Sequence, residues 1–373
     1  MKRCCAVLVN YFGAVDTAGA ALSVLGDAPD TSLVVVDNSN DQDEHTLLRS
    51  LLPRAAHVID AGENLGFGGA CNLAWKNREE EFMLFVNPDV RLLPGCVSAL
   101  TALLARLPSV AAVAPRQYLD AACQWLLPPA WLPTALRAWT HEKALRNGRG
   151  WRRLALAARA EHLQLWQADS ALQQRAVSGG VFMLRRDALS PGEDPFDPRF
   201  FMYFEDSDLC MRLRMRGAVV MVEPAAKAVH AWRNLPHKAP LMAEAAATYF
   251  AKYDPAGCSP WHAKARQLTS APPDPGAWPV FNDWPTDQGM RVPVALQSGW
   301  LLELALSPLF QTVIGRFGSG GVIEEPTDVL ALLGAAEVFG RLGPQSKIAA
   351  DGSLPLYFRW RADRGGQHAD TPR

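Results

Sequence analysis

The sequence predicts an α/β protein: a mostly parallel central sheet flanked by helices, with a small, mainly helical C-terminal extension. Two observations carry this expectation. Up to about residue 115, short β-branched runs alternate with segments whose apolar residues recur at helical spacing, the pattern of strands joined by crossover helices. Several of those runs also end in a carboxylate or an amide, which lines polar groups along the C-terminal edge of the sheet, where open α/β sheets bind ligands.

Composition narrows the class. The chain has 373 residues, is 49% apolar and 20% charged, and so resembles an ordinary soluble protein with one large domain and a smaller one. A net charge of −1 gives no global field toward nucleic acid or membrane. The best candidate span, Leu301 to Gly315, is interrupted by Glu303, Pro308 and Gln311. The first residues lack the long apolar core of a signal peptide, so a cytoplasmic protein is expected. Seven cysteines without any C-x-x-C spacing argue against a zinc site or a disulfide framework.

Taken in order, the strand-like runs are Ala6–Asn10, Leu33–Asp37, His57–Asp60, Phe82–Asn87 and Val110–Pro115. Helical spacing over Asp16–Leu25 and Cys71–Arg78, with Pro94 opening a third helix, supplies the crossovers. The fourth run breaks into Asn87-Pro88-Asp89, delivering a carboxylate at a strand end; Asp89 is a candidate ligand for magnesium or manganese, the alternative being ordinary turn chemistry. The second run ends in Asp37, which suits a nucleoside base or ribose, or else caps a turn. A dehydrogenase would need Gly-x-Gly-x-x-Gly after the first strand, and Gly13 is the single glycine there. In Glu63-Asn64-Leu65-Gly66-Phe67-Gly68-Gly69-Ala70-Cys71-Asn72, glycines allow close backbone approach, while Asn64 and Asn72 can pair with a base edge; a tight loop is the plainer alternative.

These motifs, with Val7-Leu8-Val9-Asn10-Tyr11 and Phe85-Val86-Asn87-Pro88-Asp89-Val90, resemble those of family-two glycosyltransferases with the GT-A fold, rhamnosyltransferases in particular. The similarity resumes over residues 176–232. It implies a nucleotide-sugar donor bound through Asn10, Asp37, Asn64, Gly66, Asn72, Asn87, Gly179 and Gly180. It also implies that Asp37 holds the nucleotide base and that Asp89 is the metal acid left where Asn-Pro-Asp replaces the commoner Asp-x-Asp. The implied reaction is inverting transfer of L-rhamnose from dTDP-rhamnose to a bacterial surface glycan or lipid-linked acceptor. An inert GT-A scaffold and a sugar-nucleotide nucleotidyltransferase are the rivals.

Further along, Val177-Ser178-Gly179-Gly180 returns to strand character, with glycines where a donor needs close approach. Phe200-Phe201-Met202-Tyr203-Phe204 then precedes Glu205, Asp206 and Asp208, at the head of a helix expected from Leu209 to Arg216. Acids there also complement a helix dipole. The resemblance assigns the general base to Asp206, with Glu205 tuning it and Asp208 next in line. Val219–Val222 and Ala225–His230 read as two short strands, and the resemblance makes His230 a metal ligand, where a lone histidine would otherwise read as core or surface.

The expected domains are 1–255, a GT-A domain with a basic, tryptophan-containing insertion at about 117–175; 256–285, an extended proline-rich connector; and 286–373, an accessory region with helices over Leu296–Leu306 and Thr327–Leu342 and a polar tail from Arg361. Trp131, Trp139, Trp151 and Trp166 among arginines suit either peripheral contact with the inner face of an anionic membrane or packing on the domain body.

Overall fold

The computed structural model describes residues 3–232, 238–284, 289–346 and 355–361. Pro285 of the expected connector, Leu354, and the polar tail after Arg361 lie outside the described residues. The chain forms two compact units, one running to Glu142, resuming over Gln164–Trp232 and ending at Ala271, the other joining Lys143–Leu163 to the chain from Pro272 onward.

The first unit alternates as its periodicity predicts: β1 (Cys4–Asn10), α1 (Ala14–Asp27), β2 (Ser32–Asp37), α2 (Gln42–Leu51), β3 (Ala56–Asp60), α3 (Gly66–Lys76), β4 (Phe82–Val86), β5 (Val90–Leu92), α4 (Cys96–Arg106) and β6 (Val110–Tyr118). After α5 (Ala135–Arg146) and α6 (Gly148–Trp166) come β7 (Leu172–Gln174), β8 (Val181–Arg185), α7 (Glu205–Met215), β9 (Val219–His230), α8 (Lys238–Tyr253) and α9 (Pro260–Thr269). The sheet order is β3-β2-β1-β4-β8-β6-β9-β5, with β7 added on β9. Every strand except β5, β7 and β8 runs the same way. β1, β2 and β4 are buried at every position, because helices cover both faces; hence their unbroken apolar runs. Register places Asn10 beside Asp37 and Asp37 beside Asp60 on one edge.

Several local expectations are corrected. Val219–His230 is one strand, because Pro224, which has no N–H to give, falls where pairing with β6 slips from Pro115/Glu223 to Arg116/Lys227. The glycines from Gly66 lie inside the first turns of α3 rather than in a loop. α7 starts at Glu205, so the acids are helical residues of its first turn. The connector is not extended throughout: Pro260 opens α9 at a position where its missing N–H is no loss, behind the Ser259 cap.

The second unit is not mainly helical. It holds β10 (Asn282–Asp283), β11 (Met290–Arg291), β12 (Trp300–Ala305), β13 (Val313–Gly318), β14 (Val322–Ile323), α10 (Thr327–Leu333), β15 (Glu337–Pro344) and β16 (Leu356–Arg361). Its sheet order is β10-β16-β15-β12-β13. A short continuous apolar run such as Trp300–Ala305 has no periodicity to separate strand from helix, and burial on both faces made it a strand. At its centre Arg341 grips Glu303 with two hydrogen bonds, Nε to Oε2 at 2.7 Å and Nη2 to Oε1 at 2.6 Å, and Arg159 of α6 donates to the same carboxylate. All three are buried, and burial pushes both guanidinium groups down to about 9.

This arrangement bears on the two alternatives for the tryptophans. Trp151 is buried and donates to the Pro308 carbonyl at 2.9 Å; Trp166 is buried and donates to that of Leu127 at 2.8 Å. Trp139 packs on Trp261, and Arg137 lies over Trp131. Trp139, Trp151 and Trp166 are held by packing, whereas Trp131 is exposed. The exposed basic positions of α6 are Arg149, Arg152 and Arg153.

Candidate active site

On the β1/β2 side, Asp37 is buried and saturated. Its Oδ1 accepts from Asn10 Nδ2 (3.2 Å), Ser39 N (3.2 Å) and Ser39 Oγ (2.8 Å), and its Oδ2 faces His45 Nδ1 at 2.8 Å. Burial works to raise its pKa, but the hydrogen bonds from Ser39, His45 and Asn10 outweigh it and hold the carboxyl below the usual range. Asn10 also donates to Glu44 Oε1 (3.0 Å), which accepts from Ala14 N and thereby places an anion at the uncapped start of α1. Asn10 and Asp37 are thus joined, with both side chains turned to protein partners.

Asn38 staples the next segment: it donates to Asn64 Oδ1 (2.8 Å) and accepts from Leu65 N (2.9 Å), while Asn64 Oδ1 also accepts from Gly66 N. Gly66 has φ +70°, and a Cβ there would sit 2.0 Å from the Phe201 carbonyl oxygen, so glycine is required for the approach of the Phe200–Phe204 segment. Asn72 does not read a base edge. It is buried, with its amide donating to Phe196 O (2.7 Å) and accepting from Phe196 N (3.0 Å), a clamp that consumes both ends of the group.

Two glycines form the joint of the site. Asn87 N donates to Gly180 O at 2.8 Å, Gly179 N donates to Asp206 Oδ2 at 2.8 Å, and a Cβ on Gly180 would lie 2.4 Å from His230 Cε1. The glycines therefore admit His230 and Asp206, a different reason from the donor approach expected of them. On one side of the joint, half-buried Asp89 presents Oδ1 to His230 Nε2 at 3.4 Å, while His230 Nδ1 meets Gln117 Oε1 at 3.0 Å. Asn87 Oδ1 is buried with no hydrogen-bond partner among the described residues.

On the other side, Tyr203 (φ +71°) and Phe204 (φ +65°) occupy the left-handed region in succession, an arrangement that costs about 1–2 kcal/mol per non-glycine residue and turns the chain sharply into α7. Glu205 is 6% exposed and its Oε2 has no partner among the described residues. Burial, then the neighbouring Asp206, push Glu205 up to about 8. Burial also raises Asp206, opposed by backbone N–H groups of Gly179 and Ser207, the latter at 2.6 Å from Oδ1. Burial thus favours the protonated form at both carboxyls, Glu205 being pushed higher by the neighbouring Asp206, while the two backbone N–H groups favour the charged form of Asp206. Asp208 is not a reserve base: fully buried, it accepts from Lys252 (2.5 Å), Tyr253 (2.7 Å) and Arg212 (2.9 Å).

Residues 14–150 match the model of glycosyl transferase family 2. Over those residues the chain is similar to family-two glycosyltransferases. The mostly parallel sheet with helices on its faces is the GT-A architecture. The N-acetylglucosaminyl-diphospho-decaprenol L-rhamnosyltransferases of two Mycobacterium tuberculosis strains are each 26% identical over 301 residues, covering 77% of this chain and 88% of theirs. Among solved structures, a mannosyltransferase from Pyrobaculum calidifontis in complex with GDP-Man and Mn2+ aligns at TM-score 0.44 and 15% identity, covering 74% of this chain and 77% of that one. GalNAc-T7 with UDP, GalNAc and Mn2+ aligns at 0.44 and 14%, covering 72% and 54%.

In this glycosyltransferase, sequence reasoning missed Asn38, Gln117, Phe196 and the left-handed pair Tyr203-Phe204. Gln117 had a faint signal, since Arg116-Gln117 is where the apolar run of β6 turns polar at its C-terminal end. No described helix is long and apolar enough to cross a membrane, and among the described residues no group of three or more His, Cys, Asp or Glu side chains is arranged to hold a metal ion.

Proposed function

We propose that this glycosyltransferase moves L-rhamnose from dTDP-rhamnose, with inversion and with a divalent metal, magnesium or manganese, onto a hydroxyl of a lipid-linked or surface glycan. The observation that carries the reading is that one glycine pair packs against both Asp206 and the His230 that faces Asp89, while Asn87 Oδ1 and Glu205 Oε2 are buried without hydrogen-bond partners among the described residues. Buried acceptors left unpaired are costly, and a ligand rich in hydroxyl groups supplies their partners. Donor and acceptor chemistry rest on similarity to the rhamnosyltransferases, whose name gives a diphospho-decaprenol-linked sugar as acceptor. Transfer is assigned to the first unit, and the second is an accessory to it.

The metal fits the donor set. Two ligands of one ion, each about 2.1 Å from it at right angles, stand about 3 Å apart, close to the 3.4 Å between Asp89 Oδ1 and His230 Nε2. With Asp89 and His230 as its protein ligands, donor oxygens and water would fill the remaining positions, the usual arrangement for magnesium shared with a diphosphate. When bound, the ion neutralises charge developing on the departing diphosphate. Asp206 takes the proton from the acceptor hydroxyl as that oxygen attacks the anomeric carbon and the diphosphate leaves; Gly179 N and Ser207 N hold the carboxylate in place, and Glu205, pushed up by burial, limits the charge beside it. Asn10 and Asp37 order the β1/β2 edge that receives the nucleotide, and Asn64 and Gly66 shape its rim.

Calorimetry of dTDP-rhamnose with and without Mn2+ tests the reading. Binding should require the metal and weaken at least tenfold in Asp89→Ala, with a milder loss in His230→Ala. Equal binding in excess chelator would remove the metal, and a product of retained anomeric configuration would remove single displacement.

A further inference from the structure

We infer that Gln117 is a positioning residue that fixes the tautomer of His230 and so keeps its Nε2 open toward Asp89, a role that rests on the metal reading of that pair. The imidazole of His230 lies between two oxygen acceptors, Gln117 Oε1 at 3.0 Å from Nδ1 and Asp89 Oδ1 at 3.4 Å from Nε2. A neutral ring carries one N–H and can donate to only one of them. Asp89, being charged, is the stronger acceptor and by itself would draw the hydrogen to Nε2, which would convert the site into a closed Asp–His hydrogen bond with no lone pair left for an ion. Gln117 offers the shorter and competing partnership. With Nδ1–H donated to Gln117, the Nε2 lone pair and the Asp89 oxygen face each other, an arrangement that is repulsive when empty and complementary to a cation.

The backbone sets up this contact. The slip between β6 and β9 carries Gln117 opposite Ala228, and side chains two apart on a strand share a face, so His230 is its diagonal neighbour. Gly180 packs against the imidazole from the side, where a Cβ would come within 2.8 Å of Nδ1. Gln117 thus reaches the ring nitrogen that faces away from Asp89. A neutral amide here orients the ring without adding a second negative charge beside Asp89, which distinguishes it from the carboxylate that often backs a metal-binding histidine.

The test uses the full chain and two readouts. In protein labelled with 15N-histidine, long-range proton–nitrogen correlations should show His230 as the Nδ1–H tautomer, shifting to Nε2–H in Gln117→Leu. Titration of MnCl2 in the presence of dTDP, followed by the EPR signal of free Mn2+, should give a Kd raised about 10–100-fold in Gln117→Leu. Gln117→Glu, which restores an acceptor, should stay within a few-fold of wild type. Gln117→Met provides a second deletion of nearly equal volume should the leucine variant fail to fold. Unchanged Mn2+ affinity in a folded Leu or Met variant, or an Nε2–H tautomer in the wild type, overturns the role of Gln117 and leaves the metal reading standing. A wild-type protein that shows Nδ1–H and binds no Mn2+ overturns both.

Discussion

Replacing single atoms at the acid pair separates its two members. Asp206→Asn keeps size and hydrogen-bonding reach but removes basicity, so transfer should fall about 10²–10⁴-fold while donor affinity is retained. Full activity would move the base elsewhere, and Asp208, bound to Lys252, Tyr253 and Arg212, could not take its place. Glu205→Gln should be gentler on rate and should act on stability. The folded-state pKa of Glu205 is raised to about 8, so the native state binds its proton more tightly than the unfolded chain does. Stability linked to that proton is present below the unfolded value near 4.5 and is lost as pH climbs toward 8. Tm measured from pH 5 to 8.5 should accordingly fall less steeply in Glu205→Gln than in wild type; parallel curves would contradict the protonated glutamate. The places of Asp89, Asp206 and His230 were legible because they stand at strand or helix ends marked by proline, by aromatic residues or by the end of an apolar run, whereas the roles proposed for Asp206 and His230 came from the family resemblance. The clamp on Asn72 was not legible, since its partner is a backbone 124 residues away, and an amide aimed at a base reads the same as one aimed at Phe196.

Among the elements, the turn before β8 and the helix α6 each carry a prediction. In Gly180→Ala the new Cβ would meet His230 Cε1 at 2.4 Å, whereas in Gly179→Ala it would meet Asp206 Oδ2 at 3.3 Å. The first should lower Mn2+ affinity as much as His230→Ala does, and the second should cost rate with metal binding intact; equal effects would show that the turn simply gives way. On α6, the exposed Arg149, Arg152 and Arg153 retain the composition for contact with anionic lipid, each cation contributing on the order of 1 kcal/mol at low salt. Changing all three to Glu should abolish co-sedimentation with phosphatidylglycerol vesicles, and salt-insensitive sedimentation of wild type would remove that contact. Element type was readable in the first unit, where buried parallel strands and amphipathic crossovers differ in period. Over Trp300–Ala305 and the strands that follow, continuous apolar runs and bends at Gly and Pro left helix and strand alike, and pairing partners far along the chain decided.

For the whole molecule, the buried trio Arg159, Glu303 and Arg341 ties α6 to strands β12 and β15 within the second unit. Glu303→Gln leaves two buried cations without their counter-ion and should destabilise by about 3–5 kcal/mol, read as a shift in the urea midpoint. A change of under 1 kcal/mol would mean that water reaches the cluster. Arg159 and Glu303 stand 144 residues apart. On a ribosome adding about 5–20 residues per second, α6 therefore waits roughly 7–30 s for its partner to emerge. A leucine at position 159 would spend that interval as an adhesive surface. An arginine spends it hydrated, and surrenders its water only when the acid that replaces it has been made.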